Sequence, residues 1–177
     1  MPLVCLEIWE MGTLGSLWLL ARKSAIGALF GITISDRYLT ISPVRGNSMH
    51  PTFAASSTTF PGYLRGDLVL IERFCLHDFK FCNGDVVIFL SPSDHKQIFV
   101  KRLIALPGEW VQVSCDAFKV PEGHCWVEGD NSALSWDSRS FGPIPMGLIR
   151  GRVTHVIWPP HRIGKVERKM QAGKFTQ

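Results

Sequence analysis

Gly84-Asp85-Val86-Val87-Ile88-Phe89-Leu90 and, beyond the polar stretch Ser91–Gln97, Ile98-Phe99-Val100-Lys101-Arg102-Leu103-Ile104-Ala105-Leu106-Pro107-Gly108-Glu109 decide how this chain folds. Both runs are short, rich in Val, Ile and Phe, and bounded by Gly-Asp or Pro-Gly, the residues of strands set between turns. Working outward, Leu68–Glu72, Trp110–Val113, Cys125–Glu128 and Val153–Trp158 have the same length and residue type. Helical periodicity is absent after residue 37. The expected body is therefore mainly β and antiparallel, over residues 38–160. Phe53–Arg65 and Asn131–Pro145 are its longest loops, and long loops on a rigid frame are where chemistry concentrates.

Lys101 and Arg102 break the second run. Strand alternation sends them to opposite faces, so one is expected to meet solvent and the other to be paired or functional. A lysine held in an apolar setting loses part of its preference for the ammonium form and becomes usable as a base.

Composition narrows the class. Of 177 residues, 46% are apolar and 19% charged, which excludes a disordered chain. Sixteen Gly and eleven Pro without a period exclude collagen and long helical repeats. Five cysteines with no C-x-x-C pair do not make a disulfide scaffold or a zinc site. Cys115 and Cys125 enclose nine residues, but Pro121 and Gly123 between them disfavour a helical hairpin. The net charge of +4 resides in the last residues, 161–177, which carry Arg162, Lys165, Arg168, Lys169 and Lys174 against Glu167. That is a basic tail, not the aromatic-interleaved basic face of a nucleic-acid binder. A solvated end and a contact for anionic lipid or a partner are both open for it.

Residues 1–37 form a separate N-terminal segment whose apolar helix is expected over about 13–35. Arg22 and Lys23 split it into two uncharged runs. Twelve helical residues reach roughly 18 Å, short of the ~30 Å hydrocarbon core, so neither run spans alone. A tilted single span, an interfacial helix and a helix packed on the body all stay open. Arg22 and Lys23 precede the second run while Asp36 and Arg37 cancel after it, so the positive-inside bias sends the rest of the chain across. Glu7 and Glu10 argue against a cleavable organellar presequence, and Met11 is an alternative start that removes both.

Three segments carry hydroxyls and charges suited to peptide chemistry. Val44-Arg45-Gly46-Asn47-Ser48-Met49-His50-Pro51-Thr52 presents Ser48 at a strand-to-turn junction. His50 is an awkward base for it at two residues' distance, and no other histidine stands out. Lys101 is the cation with an apolar setting. Gly129-Asp130-Asn131-Ser132-Ala133-Leu134-Ser135-Trp136-Asp137-Ser138-Arg139-Ser140-Phe141-Gly142-Pro143 crowds hydroxyls around an Asp/Arg pair.

In this order, G-N-S-M-H-P-T, G-D-V-V-I-F…V-K-R-L-I-A-L-P-G-E and G-D-N…S-W-D-S-R-S-F-G-P-I resemble the type I signal peptidases, a family of Ser/Lys peptidases, over residues 25–160. The resemblance implies that family's β body behind an N-terminal apolar helix, with Ser48 as nucleophile and Lys101 as general base. It further implies Ser135 as the hydroxyl orienting the lysine, Asp137 and Arg139 as the supporting ion pair, and neither metal nor organic cofactor. Many bacterial members carry a hydroxyl where this chain has Gly46, leaving the Ser48 N–H and the Asn47 amide as candidate oxyanion donors. Glu122–Asn131 (E-G-H-C-W-V-E-G-D-N) and Thr154–Pro160 (T-H-V-I-W-P-P) are similar to the subunit 2 branch of the mitochondrial inner membrane protease. That branch implies an inner-membrane protease facing the intermembrane space, inner-membrane lipid around its anchor and a heterodimer with the related subunit 1. Its substrates would be precursor proteins whose sorting signals are cut after small residues. A chloroplast or bacterial preprotein peptidase, or a non-catalytic assembly subunit, are the alternative readings.

Overall fold

In a computed structural model, residues 4–56, 66–94, 96–113 and 116–169 are described, with the side chains of 15–33 and 37 in the first helix. The outer part of the Phe53–Arg65 loop, Cys115, residues 170–177 with Lys174, and the side chains of Glu7, Glu10 and Met11 lie outside these. The chain divides into two compact units, Met1–Tyr38 and Leu39–Gln177.

The first unit is one continuous helix, α1 (Val4–Arg37), longer than the expected 13–35 and unbroken at Arg22 and Lys23. Its apolar side chains, among them Leu17, Trp18, Leu20, Leu29, Phe30 and Ile32, are exposed. The Arg22 guanidinium lies 5.6 Å from the Trp18 ring centroid one turn earlier, a cation–π contact that keeps the charge along the helix. Among the described residues no helix is long and apolar enough to cross a membrane, because the two cations interrupt the run.

The second unit is mainly β, as expected. Its main sheet is formed by β1 (Leu39–Pro43), β2 (Leu68–Glu72), β3 (Val86–Leu90), β4 (Ile98–Ala105), β7 (His124–Glu128), β8 (Ile144–Pro145), β9 (Ile149–Trp158) and β10 (Gly164–Lys165). The strand order is β1-β2-β9-β3-β4-β7-β8, with β10 on β9, and β5 (Trp110–Val113) and β6 (Asp116–Lys119) form a separate hairpin. Every pairing is antiparallel.

β3 and the inner part of β4, from Lys101 to Ala105, are buried on both faces. Val86, Ile88 and Val100 belong to one core with Met49, Phe53, Val69 and Val153. Val87, Phe89, Phe99 and Leu103 belong to another with Val127, Ile144 and Ile149. This two-sided burial overturns the expectation that Lys101 or Arg102 meets solvent: Lys101 is 4% and Arg102 1% exposed. Lys101 pairs with Val87 and Arg102 with Val86, so the two side chains leave the strand on opposite faces.

Two further expectations change. Asn131–Pro145 is not a plain loop but holds a 3-10 turn (Ser132–Leu134), the short helix α2 (Ser138–Phe141) and β8. Residues 161–169 are not a free tail. Val166 N–H donates to Thr154 O at 2.8 Å, Val166 packs on the first core, and Arg168 pairs with Asp85 at 2.6 Å.

Candidate active site

Ser48 sits in a turn five residues past the end of β1, and its neighbours fix it. Met49 and Phe53 are fully buried in the first core, each worth about 1.5–3 kcal/mol of burial. Anchored on that side, the turn leaves Ser48 partly exposed toward a cleft. Gly46 two residues earlier has φ +78°, a left-handed backbone in which an L side chain is strained. A hydroxyl-bearing residue at this position would be strained in this turn.

The cleft has a volume of about 520 Å³ and is lined by Ser48, Lys101, Pro43, Ile88, Phe99 and Val100 among others. Ser48 and Lys101 thus open on one space, whose walls mix apolar Pro43, Ile88, Phe99 and Val100 with polar Ser42, Arg45, Lys96 and Gln97. The Lys101 ammonium nitrogen lies 5.9 Å from the Phe99 ring centroid and has no carboxylate partner within ion-pair distance among the described residues. Burial lowers its pKa from 10.5 to about 8; Asp137 works against that shift and Arg139 adds to it.

The third segment meets the first at Gly129. A Cβ on Gly129 would come within 2.2 Å of Ser135 Oγ and 2.5 Å of Ser48 O, so only glycine lets the two serines approach. Asn131 N–H donates to Ser48 O at 3.0 Å, and the Asn131 side-chain amide donates to Asn47 O at 3.2 Å. Asn47 uses its carbonyl here, and its side chain is exposed.

Ser135, Asp137 and Arg139 form one network. Ser135 Oγ donates to Asp137 Oδ2 at 2.6 Å, and Gly129 N–H donates to the same oxygen at 2.9 Å. Arg139 grips the carboxylate with Nε at 2.9 Å and Nη2 at 2.6 Å, while Asp137 caps α2 through Arg139 N–H. Burial alone would push the Asp137 carboxyl up, but the Arg139, Gly129 and Ser135 hydrogen bonds outweigh it and hold it below the usual carboxylate range. Asp137 is thereby a fixed anion, and the Ser135 hydroxyl hydrogen is committed to it. The oxygen lone pairs of Ser135 are what it has left to offer.

Sequence reading missed the other face of β4. Arg102 donates from Nε to Asp130 Oδ1 at 2.8 Å, from Nη2 to Asp130 Oδ2 at 2.6 Å, and from Nη1 to the Gly84 and Glu167 carbonyls at 2.8 and 3.0 Å. Thr52, four residues past Ser48, donates its hydroxyl to Asp130. These contacts tie the Ser48 turn to the segment that carries Ser135. The signal was present in G-D-N and V-K-R, but their pairing is tertiary.

A signal peptidase (peptidase S26) family model matches residues 18–118 and 112–158. The chain belongs to this family. It is a serine endopeptidase of the mitochondrial inner membrane group, and it has curated relatives of both subunit types. It is 35% identical over 139 residues to the mitochondrial inner membrane protease subunit 2 of Danio rerio, covering 77% of this chain and 73% of that one. It is 37% identical to subunit 2 of Mus musculus over 77% of each, and 44% identical to subunit 1 of Mus musculus over 74% of this chain and 76% of that one. A signal peptidase I structure from Enterococcus faecalis is 29% identical, with a TM-score of 0.37, covering 42% of this chain and 97% of that one.

Proposed function

We propose that this protease cuts by a Ser/Lys dyad. Lys101, uncharged at the moment of attack, takes the Ser48 proton as Ser48 Oγ adds to the scissile carbonyl. Its ammonium then protonates the leaving amine, and water, deprotonated in turn by Lys101, releases the acyl group from Ser48. Ser135 holds the lysine amine through its lone pairs, since its proton is engaged by Asp137. Asp137 and Arg139 keep Ser135 in place. The Ser48 N–H is one oxyanion donor, with the Asn47 amide as candidate for the second. The observation that carries this reading is a buried lysine with a pKa lowered to about 8, opening on the same cleft as the serine.

The substrates are precursor proteins bound for the intermembrane space, carrying sorting signals cut after small residues. The relatives are named mitochondrial inner membrane proteases, and Ile88, Phe99 and Val100 give the cleft an apolar side on which small side chains can rest. The exposed apolar surface of α1 attaches the enzyme to inner-membrane lipid, with residues 38–160 as the peptidase domain on the intermembrane-space side. A partner of the subunit 1 type completes the assembly. N-terminal sequencing of precursors that accumulate when Ser48→Ala replaces the native chain tests the reading. Uncut sorting signals are expected, and normal maturation would refute it.

A further inference from the structure

We infer that Arg162, in the segment the sequence assigns to a basic tail, is a positioning residue for the nucleophile turn, acting from behind it through the buried carboxylate of Asp67. The inference rests on Ser48 being the nucleophile.

Residues 44–56 form a closed loop pinched at its base by Asp67. Val44 N–H donates to Asp67 O at 3.0 Å, Asp67 N–H to Ala54 O at 3.0 Å, and Ala54 N–H to Asp67 Oδ2 at 2.9 Å. Asp67 is fully buried. Among the described residues, the cation facing it is Arg162, whose Nη1 lies 3.2 Å from Asp67 Oδ2. The other arm of the same guanidinium, Nη2, donates to Thr52 O at 2.9 Å. One planar group thus joins the base of the loop to its far limb, past Ser48.

Packing does not replace this link. Met49 and Phe53 are held in the core, but Pro51 and Thr52 border an open pocket of about 290 Å³, lined also by Phe53, Val156 and Val166. Thr52 is therefore set by polar contacts: its carbonyl by Arg162, its hydroxyl by Asp130. Arg162 in turn is carried by the 3-10 turn Pro160–Arg162, and β10 follows it back onto β9. A fork is needed to reach both oxygens, and a lysine supplies only a point charge.

The test uses the full chain in membranes, with kcat and KM for a precursor peptide, and melting followed separately. Arg162→Lys keeps a charge near Asp67 but loses the bridge. Its kcat is expected to fall about 10- to 100-fold, the scale of a misplacement near 1 Å, with KM changed less than about twofold. Because Arg162→Ala strands a buried carboxylate and so mixes a folding defect with any loss of rate, the second variant is Asp67→Asn with Arg162→Gln, which removes both charges. It is expected to fold and to show the same loss of kcat. Wild-type kcat in either folded variant, or a lower melting temperature with unchanged kcat, overturns the inference. Ser48→Ala is run alongside: activity surviving in it refutes the Ser48 reading itself, whereas an inactive Ser48→Ala beside fully active Arg162 variants refutes only the role of Arg162.

Discussion

Lys101 and Arg102 are neighbours on one strand, both buried, and their surroundings could hardly differ more. Arg102 enters a pocket that answers every arm of its guanidinium: the Asp130 carboxylate by two bonds, and the carbonyls of Gly84 and Glu167. Asp130 is held below the usual carboxylate range; burial opposes this, but the Arg102 and Thr52 hydrogen bonds, with the charges of Arg102 and Lys169, prevail. Lys101 is buried at a cleft beside Phe99 and Val100 with no carboxylate in ion-pair range among the described residues, and its pKa falls to about 8. The same burial is matched by a carboxylate on one face and lowers a lysine pKa on the other. What separates the outcomes is whether a counter-charge is supplied.

The contrast can be broken most severely at Lys101. Replacing it with Met should lower the rate of precursor cleavage by about 10²–10⁴-fold, the usual weight of a positioned base, as measured by single-turnover kinetics. Arg102→Met should cost about 3–5 kcal/mol of stability, since it leaves Asp130 buried without its cation; denaturant unfolding reads this. Lys101→Met should do the opposite and stabilise the fold by up to roughly 3 kcal/mol at pH 7, following from the drop from 10.5 to about 8. The sign follows from proton binding. Below about pH 8 the folded state carries a buried ammonium that the unfolded chain solvates freely. That penalty is relieved as pH rises from 8 toward 10.5, so wild type and variant should converge in alkaline solution. The smallest effect concerns Arg139, whose charge adds to the lowering of the Lys101 pKa. Arg139→Gln should move the acid limb of the kcat/KM profile to higher pH.

Several strands were legible because their signals are local. β2, β3 and β5 begin and end where Leu68–Glu72, Val86–Leu90 and Trp110–Val113 predict. β9 begins at Ile149, four residues before the expected Val153, because Arg150, Gly151 and Arg152 hide it. Arg152 is spent on Glu72 and Asp85, and Gly151 gives room to Ile71 and Glu72. β6 is exposed at every residue and so leaves no alternation to read. In the site, Ser135, Asp137 and Arg139 lie within a few residues and could be seen together. Arg102 with Asp130, and Arg162 with Asp67 and Thr52, join residues far apart in sequence. Nothing at the sequence level distinguishes such cations from solvated ones.

The claim on which the account depends is a lysine at position 101 that shares its proton with the solvent near neutrality. The direct measurement is an NMR titration of the Lys101 side-chain ¹³Cε in the full chain carrying Ser48→Ala. A midpoint near pH 8 is predicted, and a midpoint near the ordinary 10.5 would contradict it.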